Sequence, residues 1–419
     1  MSFFRSVTNP LFASALLVAL LRYSGVVRVR PGSLSSLIEP SSIVSVRGVV
    51  ESAPKRIRGG SYMIPLRCTS VSSRRAVSSA SGAVSIIVPA RIIDSRSPGG
   101  IFTSARGSPA PLVDAGLSVE ASVSAWNPYG GGSFRSESIR DCGGWGRGIP
   151  GALRRARAEG RRSFRRLLAS WGDAGGLLLA LLSGMRDGTS PVLAENFRRA
   201  GLSHILALSG MHMSLFGGAA SAAGGIFGRR AGRFFSLAAV VGFALFAGLS
   251  PSLLRALFFV AVPFVAGAFR LREPDGLALL SLSFLIHSAA VPEHVAEVSF
   301  MLSYSSLLGI ILLSGAFRSA VSPVIRVPWI SSSLSASAAA FVATAPVSVL
   351  VFGYASPVGI VSTPVVAPLV VAFIVLGAVS FAASLAAPFL SPFFGGIMNA
   401  MYSAVFGASA FFAELSGLP

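Results

Sequence analysis

The pattern of hydrophobic and polar positions divides the chain in two. From Ser203 onward, apolar runs recur at about the 20 residues that a helix needs to cross a bilayer. Short polar breaks separate them and place spans near 203–227, 234–249, 251–269, 276–291, 295–316, 330–353, 366–386 and 393–412. An isolated apolar run, "PLFASALLVALL", follows Arg5 and precedes the basic "RVRPG". No small-x-small cleavage site intervenes, so residues 1–30 read as an uncleaved membrane anchor with its N-terminus in the cytoplasm. Residues 31–146 follow another pattern. "SIVSVRGVVES", "YMIPLRCTSV", "AVSIIVPARII" and "AGLSVEASVSAW" are short, β-branched and partly alternating, with Gly, Ser and Pro clusters between them. They predict a small all-β domain, and a five-strand OB-like barrel fits the length. Residues 147–172 predict a basic amphipathic helix lying in the membrane interface, with Leu153, Phe164, Leu167, Leu168 and Trp171 as a partial apolar face. Residues 173–419 complete a polytopic domain. The expected fold class is a polytopic α-helical membrane protein with an N-terminal, extracytoplasmic, OB-like β domain.

Composition supports the membrane reading. The 419 residues are 53% hydrophobic and 12% charged, against about 25% charged in a typical soluble domain. Charge adds an asymmetry. Of the net +19, residues 1–172 hold 24 basic against 8 acidic side chains, and residues 173–419 hold 11 against 8. Lys55 is the only lysine, so the excess is arginine, which forks onto phosphate oxygens. Charge alone leaves both anionic lipid headgroups and nucleic acid open as partners. The loops at 228–233, 270–273 and 318–326 are basic, whereas those at 248–251 and 291–294 carry no arginine. The positive-inside rule makes the basic set cytoplasmic and places the β domain on the outer side of the cytoplasmic membrane.

Several chemistries are excluded or bounded. With two cysteines, no C-x-x-C pair and four histidines, a structural zinc site of the usual spacing is ruled out, and no other metal or cofactor is indicated. Cys68 and Cys142 could form one disulfide in an oxidising compartment, or stay as separate thiols. No G-x-x-x-x-G-K-[ST] loop is present, so a driving force would come from elsewhere. The segment Gly201–Met213, "GLSHILALSGMHM", places His204, Ser209, Gly210 and His212 in one apolar stretch. Ser209-Gly210 weakens a helix there, and ionisable residues within a membrane segment usually face a cavity or a pathway. A pair of neutral histidines hydrogen-bonded between helices is the plainer alternative. No G-x-S-x-G elbow and no acidic partner accompany Ser209. Arg255 either snorkels to headgroups or faces a water-filled path. Arg186, Asp187, Arg198 and Arg199 form either a surface ion-pair cluster or a phosphate-handling entrance. Pro346, Pro357, Pro364 and Pro368 fall too densely for continuous helices and predict breaks there.

At these residues the chain resembles the ComEC-type competence channels. That family carries a turn followed by "F..tGl.HllaiSGlH", matched by Gly184, Phe197, Gly201, Leu202, His204, Ala207, Ser209, Gly210 and His212. A second motif, "G.SPS..RA", is matched by Gly248, Ser250, Pro251, Arg255 and Ala256. A third is matched by Asp275, Pro292, Ser299, Phe300, Leu302 and Ser303, and a fourth by Pro346, Phe352, Gly353 and Ser356. Met301 stands where the family tends to have Gln, and Ser362 and Thr363 where an Asn often occurs. The resemblance implies a channel that conducts single-stranded DNA into the cell during natural transformation, without enzymatic activity of its own. His204, Ser209, Gly210, His212, Arg255, Arg186, Asp187 and Arg198 would line or shape it. Arg154, Arg155, Arg161, Arg162, Arg165 and Arg166 would guide DNA, and Trp126, Tyr129, Phe134 and Trp145 are aromatic candidates for stacking or core packing. Many family members carry a metallo-β-lactamase-like domain, but no H-x-H-x-D-H cluster occurs in this sequence. A separate nuclease, a DNA-receptor protein and a cytoplasmic motor are therefore the expected partners beside DNA and membrane lipids. The rival readings are a transporter for a small anionic metabolite and a membrane hydrolase using Ser209 with His204 or His212.

Overall fold

A computed structural model describes residues 10–23, 35–36, 39–57, 60–74, 76–89, 113–127, 133–186, 188–272 and 274–417. Asp187 and Tyr129 lie outside the described residues. The first element is helix α1 (Pro10–Tyr23). The β region contains β1 (Ser35–Ser36), β2 (Ser45–Val50), β3 (Lys55–Arg56), β4 (Ser61–Ser72), β5 (Val77–Ser81), β6 (Ala83–Pro89), β7 (Ser118–Asn127) and β8 (Ser133–Gly144).

Five of these strands close on themselves. β2 pairs antiparallel with β4, β4 with β6, β7 with β8 and β7 with β2, while β6 and β8 run parallel. This circuit is the small OB-like barrel that the strand lengths predict. Alternation fills it: Val46, Val50, Tyr62, Ile64, Leu66, Ile86, Val88, Val119, Ala121 and Phe134 point inward and are all but fully buried. β2 shifts register between Arg47 and Gly48. A Cβ on Gly48 would meet the Arg67 carbonyl oxygen at 2.5 Å, so only glycine lets the two strands close there.

The barrel settles the cysteines and the aromatic candidates. Cys68 and Cys142 are free, which corrects the disulfide option. Cys68 faces the interior of β4, its thiol against the carbonyls of Arg47 and Ser70 at 3.7 Å. Cys142 lies on β8, which does not neighbour β4 in the circuit. Burial pushes both thiols above the usual value, so neither is an activated thiolate. Phe134 is fully buried, and Trp126 packs on it with centroids 4.6 Å apart. Trp126 and Trp145 are half-buried against the barrel core.

The remaining helices are α2 (Gly148–Ala169), α3 (Gly172–Ser183), α4 (Pro191–Arg199), α5 (Ser203–Leu206), α6 (Gly210–Gly225), α7 (Arg229–Ala247), α8 (Pro251–Ala268), α9 (Gly276–Ala290), α10 (Val298–Val321), α11 (Pro328–Phe352), α12 (Gly359–Ala386) and α13 (Ser391–Leu415). Among the described residues six helices are long and apolar enough to cross a membrane: α7, α8, α10, α11, α12, and α13 with the short turn before it. α1, α3 and α9 are apolar but shorter. Six of the eight sequence spans are recovered with shifted ends; the span at 203–227 is split, and that at 276–291 is the shorter α9.

The proline expectation holds at Pro357, which lies in the break between α11 and α12, and fails at the other three. α12 runs unbroken through Pro364 and Pro368 and α11 through Pro346, as α8 does through Pro263. An interior proline costs about 3 kcal/mol. Breaking the helix in hydrocarbon would strand several backbone groups at several kcal/mol each, so continuity wins.

The largest core forms around α3, which the pattern did not single out as a span. Leu177, Leu178 and Leu181 are fully buried there beside Phe197, Val366, Val370, Phe373, Ile374, Met398 and Val405. α2 is packed as well as basic. Phe164 meets Phe246 and Phe381 edge-on at 5.7 and 4.7 Å, which ties α2 to α7 and α12. On the same face, Arg157 and Arg161 reach Asp114 at 3.9 and 3.7 Å, tying α2 to the loop before β7. Arg161 is only 5% exposed, which removes it from the set free to guide DNA. α1 packs through Ala15, Val18 and Ala19 onto α9, and the Tyr23 hydroxyl donates to the Val295 carbonyl at 3.1 Å.

Candidate functional site at a broken helix

The sequence 203–225 is interrupted. α5 ends at Leu206, Ala207 and Ser209 are extended, and α6 begins at Gly210. Such a break strands the carbonyls of one helix and the N–H groups of the next, and each needs a partner. Ser209 and His212 supply a capping box: the serine side chain accepts from the backbone three residues on, and His212 Nδ1 accepts from Ser209 N–H at 3.2 Å. Histidine here does what Glu or Gln usually does at that position. The Leu208 carbonyl is taken by the Ser252 hydroxyl at 2.5 Å. The S-G-x-H spacing is therefore, first, the chemistry that starts α6.

The box also fixes the imidazole. With Nδ1 accepting, the neutral ring carries its proton on Nε2. His212 is fully buried, and its Nε2 has no hydrogen-bond partner among the described residues. The ring lies 6° from parallel with Phe243. His204 sits on α5 with an exposed side chain, so the two histidines do not form a hydrogen-bonded pair.

Arg255 completes the site. Its Nη1 donates to the carbonyl of Ser303 on α10. A Cβ on Gly210 would stand 3.5 Å from its Nη2, which places the guanidinium beside the first turn of α6. Its Nε, like the Ser303 hydroxyl, has no hydrogen-bond partner among the described residues. A half-buried guanidinium with no carboxylate partner among the described residues, next to a helix N-terminus, makes a strongly electropositive spot.

The last motif braces the same end of the bundle. Ser356 and Ser362 donate to the carbonyls of Arg199 and Ala200 at 2.8 and 2.7 Å, closing the C-terminus of α4. Ser362, a departure from the family pattern, has this capping role. Gly201 follows with φ +73°, and a Cβ there would lie 2.8 Å from the Gly359 Cα. Arg198 pairs with Glu195 at 2.6 Å and lies 5.0 Å over the Tyr354 ring. That bond holds the Glu195 carboxyl below the usual carboxylate range. Arg186 is exposed at the end of α3. Of the helix arginines, Arg154, Arg155 and Arg166 are exposed, while Arg162 and Arg165 are half-buried. Burial, then the neighbouring Arg166, lowers the Arg162 guanidinium.

Three motif segments thus meet at the break, Leu208–His212, Ser252 with Arg255, and Ser303, while the fourth, Ser356 with Gly359, packs on Arg199 and Gly201 of the first motif. The family model described as "Competence protein" matches residues 181–418, more than half of the chain. The chain belongs to the competence protein family. It is a multi-pass membrane protein of that family with an OB-like barrel at its N-terminal end. No curated protein and no solved structure matches the chain. The competence match covers all of the site and none of the barrel. Sequence reasoning missed Asp114, Ser252 and Tyr354. Ser252 had a signal, since a serine within the S-P-S start of a helix can reach back to a neighbouring chain break. Asp114 had none, being one acid in a loop.

Removing the N-cap tests the role assigned to Ser209. Ser209→Ala is expected to cost about 1 kcal/mol of stability and to leave most of the transformation activity. Thermal unfolding of the purified membrane protein, alongside transformation counts, measures both. Complete loss of activity in a stably folded variant would instead indicate a nucleophile.

Proposed function

We propose that this competence-family protein is a cytoplasmic-membrane channel that passes one strand of DNA into the cell during natural transformation. The observation that carries the reading is the electropositive break: Arg255, with no carboxylate partner among the described residues, set at the N-terminus of α6 inside an apolar bundle. A guanidinium beside the positive end of a helix suits a phosphodiester passing in single file.

The surroundings support it. The arginine-free loops at 248–250 and 291–297 lie at the bundle end that holds the break, because Ser252 and Arg255 begin α8 there. Arg157 reaches toward Gly248 in the same loop and ties α2 and the barrel to that end. By the positive-inside rule this end is the outer one. DNA would then meet the barrel and the exposed Arg154, Arg155 and Arg166 first, drawn by the charge excess of residues 1–172. The barrel face is a surface of the kind that binds single strands. The reading assigns no chemical step to the chain. It leaves strand degradation, DNA capture and pulling to a separate nuclease, a receptor and a cytoplasmic motor.

A transporter of a small anionic metabolite would use the same arginine, but it leaves the barrel and the basic helix without a role. A hydrolase fits less well. Ser209 Oγ lies 3.3 Å from His212 Nδ1, yet that nitrogen is engaged in the cap and no carboxylate among the described residues orients the ring. Deleting the gene in its native host and following labelled DNA decides between these. Label is expected to stay outside the cytoplasm; unimpaired entry overturns the channel.

A further inference from the structure

Two of the four histidines have no part in the site above. His287 near the end of α9 is fully buried, between Phe258, Phe300 and Tyr304. Its Nδ1 lies 3.2 Å from the Tyr304 hydroxyl, and its Nε2 lies 3.0 Å from Nδ1 of His294. His294 stands in the short 3-10 turn Pro292–Ala296, and its Nε2 is 3.7 Å from the Glu297 carboxylate. The Glu297 side chain is 49% exposed. The Tyr304 hydroxyl also reaches the Ser283 carbonyl at 3.1 Å. A continuous line of titratable groups therefore runs from the surface of the bundle to a tyrosine in its interior. Among the described residues, the ionisable groups close to this line include Tyr23, whose hydroxyl is held on Val295, Glu293 in the turn, and Arg255 on α8.

Counting protons along this line gives two self-consistent arrangements. A tyrosine hydroxyl has one proton to donate, and a neutral imidazole has one donor and one acceptor nitrogen. If Tyr304 donates to Ser283, His287 must donate from Nδ1 and accept at Nε2. His294 then donates from Nδ1, and its Nε2 faces a carboxylate. That facing is favourable only when His294 carries a second proton. If no extra proton is present, the line reverses. Tyr304 donates to His287 Nδ1, His287 Nε2 donates to His294 Nδ1, and the N–H at His294 Nε2 faces the Glu297 carboxylate at 3.7 Å. One added proton thus reverses the Tyr304–His287 and His287–His294 bonds, while His294 keeps an N–H toward Glu297 in both arrangements.

We propose that Glu297, His294 and His287 form a one-proton binding site whose occupancy sets whether the Tyr304 hydroxyl points to Ser283 or to His287. The proton enters at the half-exposed carboxylate. It is shared between the two imidazoles across the 3.0 Å contact. Its effect reaches Tyr304, the residue after Ser303, on whose carbonyl Arg255 is held. The arrangement connects pH at the outer end of the bundle to the residue next to the electropositive break. It does not depend on what the break conducts.

Imidazole nitrogen NMR on the full chain in lipid nanodiscs, with ¹⁵N-labelled histidine, reads this directly between about pH 5 and 8, where histidine titrates. His287→Gln identifies the His287 signals by their loss. In the wild-type chain, Nδ1 of His287 is expected to change from acceptor to donor as pH falls. In His294→Gln it is expected to hold one state throughout. Glu297→Gln keeps both rings and covers the case in which His294→Gln does not fold; there the reversal is expected to need a higher proton concentration. A His287 that keeps one tautomer across the range in the wild type overturns the proposal. So does a reversal that is unchanged in either variant.

Discussion

Replacing Arg255 by alanine is expected to lower transformation by roughly ten- to a hundredfold while the protein still reaches the membrane at its normal level. The estimate rests on one charged hydrogen-bonding group, worth about 1.5–3 kcal/mol, acting on a passing anion. Arg255 is half-buried and holds the Ser303 carbonyl, so its loss removes a positive charge without emptying a core position. Lysine keeps the charge but not the planar fork, and Arg255→Lys is expected to fall between the two. Transformant counts against an immunoblot of the membrane fraction make the measurement. Full transformation by the alanine variant would remove Arg255 from the conduit.

The second large effect is structural. Asp114 is 3% exposed and takes both Arg157 and Arg161, the latter 5% exposed. Asp114→Asn leaves buried guanidinium charge without its counter-ion, which costs about 3–5 kcal/mol. The loss falls where the barrel meets α2. The expected result is a barrel cut by protease at concentrations that leave the wild-type chain whole, and a lower unfolding midpoint. Pairing Asp114→Asn with Arg161→Met should restore part of the stability, because it removes the more deeply buried of the two guanidinium charges that Asp114 faced. If the double variant is no better than the single, the clamp does not hold the junction.

These two residues also mark what the sequence could and could not convey. Arg255 stood out because an arginine inside an apolar run is costly and draws attention by itself. Asp114 sits in a polar loop, 43 residues before Arg157, and nothing local distinguishes it. The barrel was legible because alternation along 62–71 and 83–93 is a local signal that matches the strands found, β4 and β6. The break at Ser209-Gly210 was legible for the same reason, since a serine and a glycine weaken a helix where they stand. Pro346, Pro364 and Pro368 misled because their cost is local while the benefit of continuity belongs to the surrounding bundle. α3 escaped because at 12 residues it is too short to read as a span, and its burial depends on α12 and α13, some 200 residues away. The His287 line escaped too: its members come from α9, a 3-10 turn and α10, and only folding aligns them.

The docking of α1 on α9 sets an order of assembly. Tyr23 meets Val295, 272 residues later in the chain. At about 5–20 residues per second of synthesis, roughly 15–55 seconds separate their emergence from the ribosome. During that interval α1 waits without its permanent neighbour, and the whole barrel is made in between. α1 is made long before the helix it packs on, so a chain halted before α9 would present α1 with an unsatisfied face to whatever machinery inspects unfinished membrane proteins.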